Sequence, residues 1–170
     1  MATVLNDRTP SRLLDVVKED LDRLFEKVRI EVELQDGNKE FRPVQVDKQN
    51  APITRAGEDE ELQYPQAEFK LINSYLGDQE EEAGKMVHSC LIVLGICDYR
   101  YEADAWMQLL SMYEKIFQHY RQNPILQNFE ASRSIEMEMQ SNDTYPFYFA
   151  AISIKFMTDD IERIDVEDMI

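Results

Sequence analysis

Apolar positions step by three and four residues through Leu14, Val17, Leu21, Leu24 and Val28, directly after Thr9-Pro10. A capping threonine followed by proline at the first helical position starts a helix, and this spacing gathers the apolar side chains on one face. The pattern predicts an amphipathic helix over residues 10–28, with Leu13 and Phe25 widening its stripe. At Val28-Arg29-Ile30-Glu31-Val32-Glu33-Leu34 the period changes to two, and Asp36-Gly37 supplies a turn, so a strand or hairpin arm follows. Its second piece, residues 41–46, contains Pro43, which removes a ladder donor and restricts it to an edge. From Asp47 to Tyr64 no hydrophobic period survives, which predicts a long exposed loop.

The second half of the chain is more strongly patterned. A short strand is expected over residues 66–72, then an acidic loop at 77–82. Residues 86–97 are apolar at both odd and even positions through Cys90-Leu91-Ile92-Val93-Leu94-Gly95-Ile96-Cys97, the mark of a central strand buried on two faces. Asp104 caps a second helix, ending near Asn123-Pro124, in which Trp106, Met107, Leu110, Tyr113, Phe117 and Tyr120 form the stripe assigned to core packing against the sheet. Ile135, Met137 and Met139 alternate with Glu136 and Glu138, the chain turns at residues 141–144, and Tyr145-Pro146-Phe147-Tyr148-Phe149 leads into Ile152-Ser153-Ile154-Lys155-Phe156, a β-hairpin. Residues 158–170 carry six acids and one arginine, which makes them a flexible tail or an arm that orders on a partner.

Together these elements predict an α+β fold: a single mixed or antiparallel sheet of about four strands, with helices 10–28 and 104–122 packed on one face. An N-terminal strand or hairpin arm and a long acidic loop complete it. One domain is expected over residues 1–170, with 35–63 as an extended loop or arm and 158–170 as the acidic tail; 170 residues with 44% apolar content suffice for a single core.

Charge narrows the function. There are 34 acidic against 18 basic residues and the formal net charge is -16, so a sequence-independent grip on phosphates, which needs a Lys/Arg surplus, is disfavoured. No apolar run approaches the roughly 18 to 20 residues of a membrane span, and residues 1–7 lack the basic and apolar blocks of a secretory leader, so a cytosolic protein is expected. Cys90 and Cys97 are seven positions apart, fall on opposite faces of one strand and are expected as free buried thiols.

No catalytic, cofactor-binding or metal-binding residue is predicted, and the chain is read as a protein without enzymatic activity. Five scattered glycines form no nucleotide-binding loop, and Gly84-Lys85 runs into Met86 without the upstream glycine such a loop needs. His88 and Cys90 share a strand face, but Cys97 points away and His119 has no ligand at the right spacing, so no zinc site assembles. Ser89 beside His88 is no nucleophile and base pair, because adjacent strand residues diverge. The acidic runs at 58–61 and 78–82 lack the alternating ligands and glycine of a calcium loop and read as solvated. One feature needs another explanation: Tyr145, Phe147 and Phe149 lie opposite Tyr148 on a strand whose other face already meets the helices through Tyr148, Ile152, Ile154 and Phe156. Tyr145, Phe147 and Phe149 are therefore the candidate partner interface, and Glu58, Asp59, Glu60 and Glu61 in the acidic loop are the second candidate contact segment.

Four segments carry a family likeness. Tyr64-Pro65-Gln66-Ala67-Glu68-Phe69-Lys70-Leu71, Leu91-Ile92-Val93-Leu94-Gly95-Ile96-Cys97-Asp98-Tyr99, Asn123-Pro124-Ile125-Leu126 and Tyr145-Pro146-Phe147-Tyr148-Phe149-Ala150 resemble the pattern of tail-completion (tail-terminator-like) proteins of long-tailed bacteriophages and prophages. The likeness spans residues 64–157. It implies a small structural protein of the virion neck, made in the host cytoplasm, that closes a ring, typically a hexamer, on the head-proximal end of the tail tube. Such a ring ends tube polymerisation and offers a docking surface to the head connector. Its implied partners are further copies of itself, the tail tube protein and the neck proteins, with DNA passing through the ring without specific binding; an acidic lumen suits that passage. The alternative reading is an acidic cytosolic adaptor, or an inhibitor that mimics nucleic acid and binds a basic protein.

Overall fold

The computed structural model describes residues 8–49, 64–100, 103–141 and 143–159. Its centre is the strand β5 (Lys85–Cys97), hydrogen-bonded along both edges, to β4 (Gln66–Leu76) on one side and β8 (Phe147–Asp159) on the other. β4 pairs in parallel with β3 (Gln45–Lys48); β8 pairs with β7 (Phe129–Met139), which pairs with the two-residue β6 (Ile125–Leu126). The order is β3-β4-β5-β8-β7-β6, antiparallel except at β3. β1 (Arg29–Glu33) and β2 (Lys39–Pro43) form a separate antiparallel pair.

One face of the sheet holds the core. Cys90, Ile92, Leu94 and Ile96 of β5 meet Ala150, Ile152, Ile154 and Phe156 of β8 and Ala67 and Phe69 of β4, all buried. Helix α1 (Pro10–Phe25) crosses β3 and β4 on this face, burying Leu13, Val16, Val17, Leu21 and Phe25, and helix α2 (Ala103–Gln122) crosses β5, β8 and β7. Phe156 is the hub, fully buried with edge-on contacts to Phe69 at 6.0 Å and Tyr120 at 5.4 Å. The β1–β2 hairpin buries Ile30 and Val32 in the same core. Its outer side is tied down by Arg100, which donates to the fully buried Asp98 at 2.6 Å, to Glu31 Oε1 at 3.2 Å and to the Glu31 carbonyl at 2.6 Å.

The expected single sheet of about four strands is corrected to six strands plus the two-stranded hairpin. Pro43 ends β2, and the chain turns at once into β3, where Val46 is buried and Asp47 and Lys48, assigned to the loop, pair beside β4. β3 and β6, at four and two residues, are too short to show a period. β7 starts at Phe129 rather than Ile135 because an irregularity between Ala131 and Ile135 breaks its alternation. β4 runs on to Leu76 past a bulge at Ile72, and Thr158 and Asp159, assigned to the tail, belong to β8. α1 stops at Phe25, three residues early, as the hairpin begins.

The stripe of α2 also differs from the expected one. Its deepest face is Ala105, Leu109, Met112, Ile116 and Tyr120; Trp106 and Tyr113 flank it, and Met107 is 60% exposed. On the flank Trp106 packs edge-on against Tyr148 at 5.2 Å, whereas the line nearest the sheet takes alanine and flexible methionine at Ala105 and Met112 and, of the expected aromatics, only Tyr120.

Candidate functional site

The face of the sheet away from the helices is where the remaining polar and aromatic residues collect. Cross-strand partners share a face, so the register writes it out in rows: Gln66, Gly95 and Phe149; Glu68, Val93, Ala151 and Glu138; Lys70, Leu91, Ser153 and Glu136; Ser89 and Lys155.

At one end lies an aromatic corner. The Tyr64 ring meets Phe147 and Phe149 edge-on, with centroids 5.4 Å and 5.9 Å away. The corner sits directly on the strand at Gly95, where a Cβ would fall 2.7 Å from Tyr64 Cε1 and 3.0 Å from Phe149 Cε1, so only glycine lets both rings lie this low. Beside it Tyr145, 43% exposed, stacks edge-on with Tyr99 at 5.9 Å and donates from its hydroxyl to the Tyr99 carbonyl at 2.9 Å. The candidate residues Tyr145, Phe147 and Phe149 are thus brought to one end of the open face; Phe147 and Phe149 are half-buried under Tyr64. Tyr148 faces the core, as parity required. Glu58, Asp59, Glu60 and Glu61 lie outside the described residues.

At the other end the β4–β5 connection folds back over the face as a strap. Lys155 Nζ donates to Glu82 at 2.9 Å and to the Tyr75 hydroxyl at 3.0 Å, and Tyr75 donates to Glu82 at 3.0 Å. The hydrogen bonds of Lys155 and Tyr75 hold the Glu82 carboxyl below its ordinary range, and those of Tyr75 and Glu82 push the Lys155 ammonium up. Ser132 donates to Glu81 at 2.7 Å, which carries the strap across to β7. Two of the acids expected to be merely solvated are therefore structural ties. Under the strap runs a trough of about 720 Å³ bordered by Ser89, Leu91, Ser153, Lys155, Ser134 and Glu136; a second hollow of about 330 Å³ lies between Glu138, Val93, Ala151 and Phe149.

The titratable groups elsewhere do structural work. His88 is 1% exposed, its Nδ1 is 2.7 Å from Ser74 Oγ, and burial pushes its pKa down. This serine and histidine pair joins β4 to β5 across the bulge, a contact sequence spacing could not reveal. Nε2 has no partner among the described residues, so no carboxylate orients the ring as a nucleophile's base requires. His119 Nε2 lies 2.7 Å from Asp20 Oδ2 and ties α2 to α1; burial acts to raise the Asp20 pKa, but the contact with His119 leaves it lowered. Burial pushes the Cys90 thiol up to about 12, far from a reactive thiolate. Among the described residues no group of three or more His, Cys, Asp or Glu is arranged to hold a metal, and no helix is long and apolar enough to cross a membrane.

No protein-family model and no curated protein matches this chain.

Proposed function

We propose that this chain is a structural protein of a phage-type tail or neck, which closes a ring on the head-proximal end of the tail tube, ends tube growth and presents a docking surface to the head connector. One observation carries the reading. Three of the four segments behind the resemblance, 64–71, 91–99 and 145–150, run side by side as the adjoining ends of β4, β5 and β8, and their aromatic side chains meet over Gly95. Residues far apart in sequence thus build one aromatic corner on the face away from the helices, which is the composition of a protein contact rather than of a core. The fourth segment, 123–126, ends in β6 at the far edge of the sheet and takes no part in the corner.

Two further features support it. The β1–β2 hairpin stands outside the main sheet with Phe41 65% exposed, an anchor suited to a neighbouring subunit. The net charge of -16 suits a ring that lets DNA pass without holding it. The implied location is the virion neck, after assembly in the host cytoplasm.

The test is to polymerise tail tubes with and without this protein and measure their lengths by electron microscopy. Short tubes capped at one end are expected; tubes of unchanged length with no protein at either end refute the reading.

A further inference from the structure

We propose that the outer edge of β7 is a docking site for an extended segment of a partner protein in which basic residues alternate with apolar ones, added antiparallel as a further strand of the sheet. The inference goes beyond ring formation and does not depend on it.

The edge is open. β6 pairs only with Phe129 and Glu130, and among the described residues no strand lies along β7 from Ser132 to Met139. The direction of its free groups follows from the ladder with β8. Gln140 N donates to the Phe149 carbonyl, so residues 140, 138 and 136 turn their backbone groups toward β8, and Ile135, Met137 and Met139 turn theirs outward. Three N–H and three C=O groups thus present a template for strand addition.

The side chains define what fits it. Ile135, Met137 and Met139 lie on the helix face, half-buried and packed against the core, so residues placed opposite them extend an apolar surface. Glu136 and Glu138 lie on the open face, exposed, and neither makes an ion pair among the described residues. They also sit at the positions where an added antiparallel strand brings its side chains closest. Glu136 borders the trough of about 720 Å³ and Glu138 the hollow of about 330 Å³, so long basic side chains opposite them have room to lie across the sheet. A second β7 is disfavoured as the occupant in the register that pairs all three outward-facing residues, Ile135, Met137 and Met139. Centred on Met137 it would set Glu136 against Glu138 twice, and like charges directly opposed are destabilising. The occupant is therefore a basic, apolar, basic strand of another protein.

The probe is a fluorescein-labelled nonapeptide alternating Lys and Val, read by anisotropy against the full chain. A peptide of the same composition with Lys and Val in separate blocks controls for charge alone. The alternating peptide is expected to bind and the blocked one to bind about tenfold or more weakly, while Glu136→Lys with Glu138→Lys lowers affinity about tenfold or more. Met137→Pro removes an N–H that β8 does not use, so it is expected to fold, with a melting temperature lowered by the loss of the half-buried Met137 side chain, and to abolish binding. Should that variant fail to fold, N-methylation of the peptide does the same from the other side: methylation at the valines abolishes binding and methylation at the lysines does not. Equal binding of alternating and blocked peptides, or full binding of the valine-methylated peptide, overturns the proposal.

Discussion

Replacing Gly95 with alanine tests the aromatic corner with the smallest possible change. The new Cβ would stand 2.7 Å from Tyr64 Cε1 and 3.0 Å from Phe149 Cε1, where ordinary contact begins near 3.4 Å, so the two rings must retreat by several tenths of an ångström. The core beneath is untouched, because Leu94 and Ile96 point to the other face. Overpacking of this kind costs about 1 to 3 kcal/mol, partly offset by the roughly 0.4 to 1 kcal/mol that alanine contributes by restricting the unfolded chain. A net loss of about 1 kcal/mol is expected. Tyr64→Ala removes the nearer obstacle, so in the double variant Gly95→Ala should cost little or nothing beyond Tyr64→Ala alone. Urea denaturation of the wild type, both single variants and the double variant gives the cycle, with a coupling of about 1 kcal/mol or more expected. Additivity within about 0.5 kcal/mol would show that Tyr64 does not rest on Gly95, and the corner as described would be wrong.

Phe156→Ala should lower stability by about 3 to 5 kcal/mol, because the ring is fully buried between Phe69 and Tyr120 and leaves a cavity the sheet cannot close; thermal melting checks it, against Phe149→Ala, whose half-buried ring should cost the subunit less. His88 gives a pH dependence of defined sign: its folded pKa lies below the ordinary 6.5, so the unfolded chain binds the proton first as pH falls. Its contribution is complete above about pH 6.5 and declines below it, by up to about 1.4 kcal/mol per pH unit until the folded ring also titrates. Urea midpoints between about pH 7.5 and 5, with the imidazole followed by NMR, test this, and a His88 titrating at or above its ordinary value contradicts it.

Strong local signals were legible in the sequence, and signals from distant pairing were not. β5 could be read because its apolar residues occupy both parities, and α1 because Thr9, Pro10 and the stripe after them agree. The parity of residues 147–156 correctly separated Tyr148, Ile152, Ile154 and Phe156 from Phe147 and Phe149, since a strand has only two faces. The strand count failed where pairing is decided from afar: β3 exists because β4 offers it an edge, and the irregularity of β7 hides Phe129 and Ala131 from an alternation test. In α2 the conspicuous aromatics drew the stripe one position from its true line everywhere but at Tyr120, because Ala105 and Met112 are buried there while looking least hydrophobic.

The candidate site was legible only in part for the same reason. Phe147 and Phe149 could be picked out as surplus to the core, but their cover, Tyr64, comes from another strand's entry. A signal for it existed in Gly95, since glycine inside an otherwise continuous apolar strand marks a close approach. Nothing in the acidic run distinguished Glu81 and Glu82, which reach Ser132 and Lys155, from Glu80 beside them.

Ring formation is the claim on which the functional account rests, and static light scattering over a range of protein concentrations measures it most directly. Each subunit carries a net charge of -16, so association should strengthen between about 50 and 500 mM NaCl, as screening weakens the repulsion between subunits. The account predicts a closed oligomer of fixed mass that salt and concentration favour. A monomer at every concentration and salt level, including in the presence of tail tubes, would contradict it.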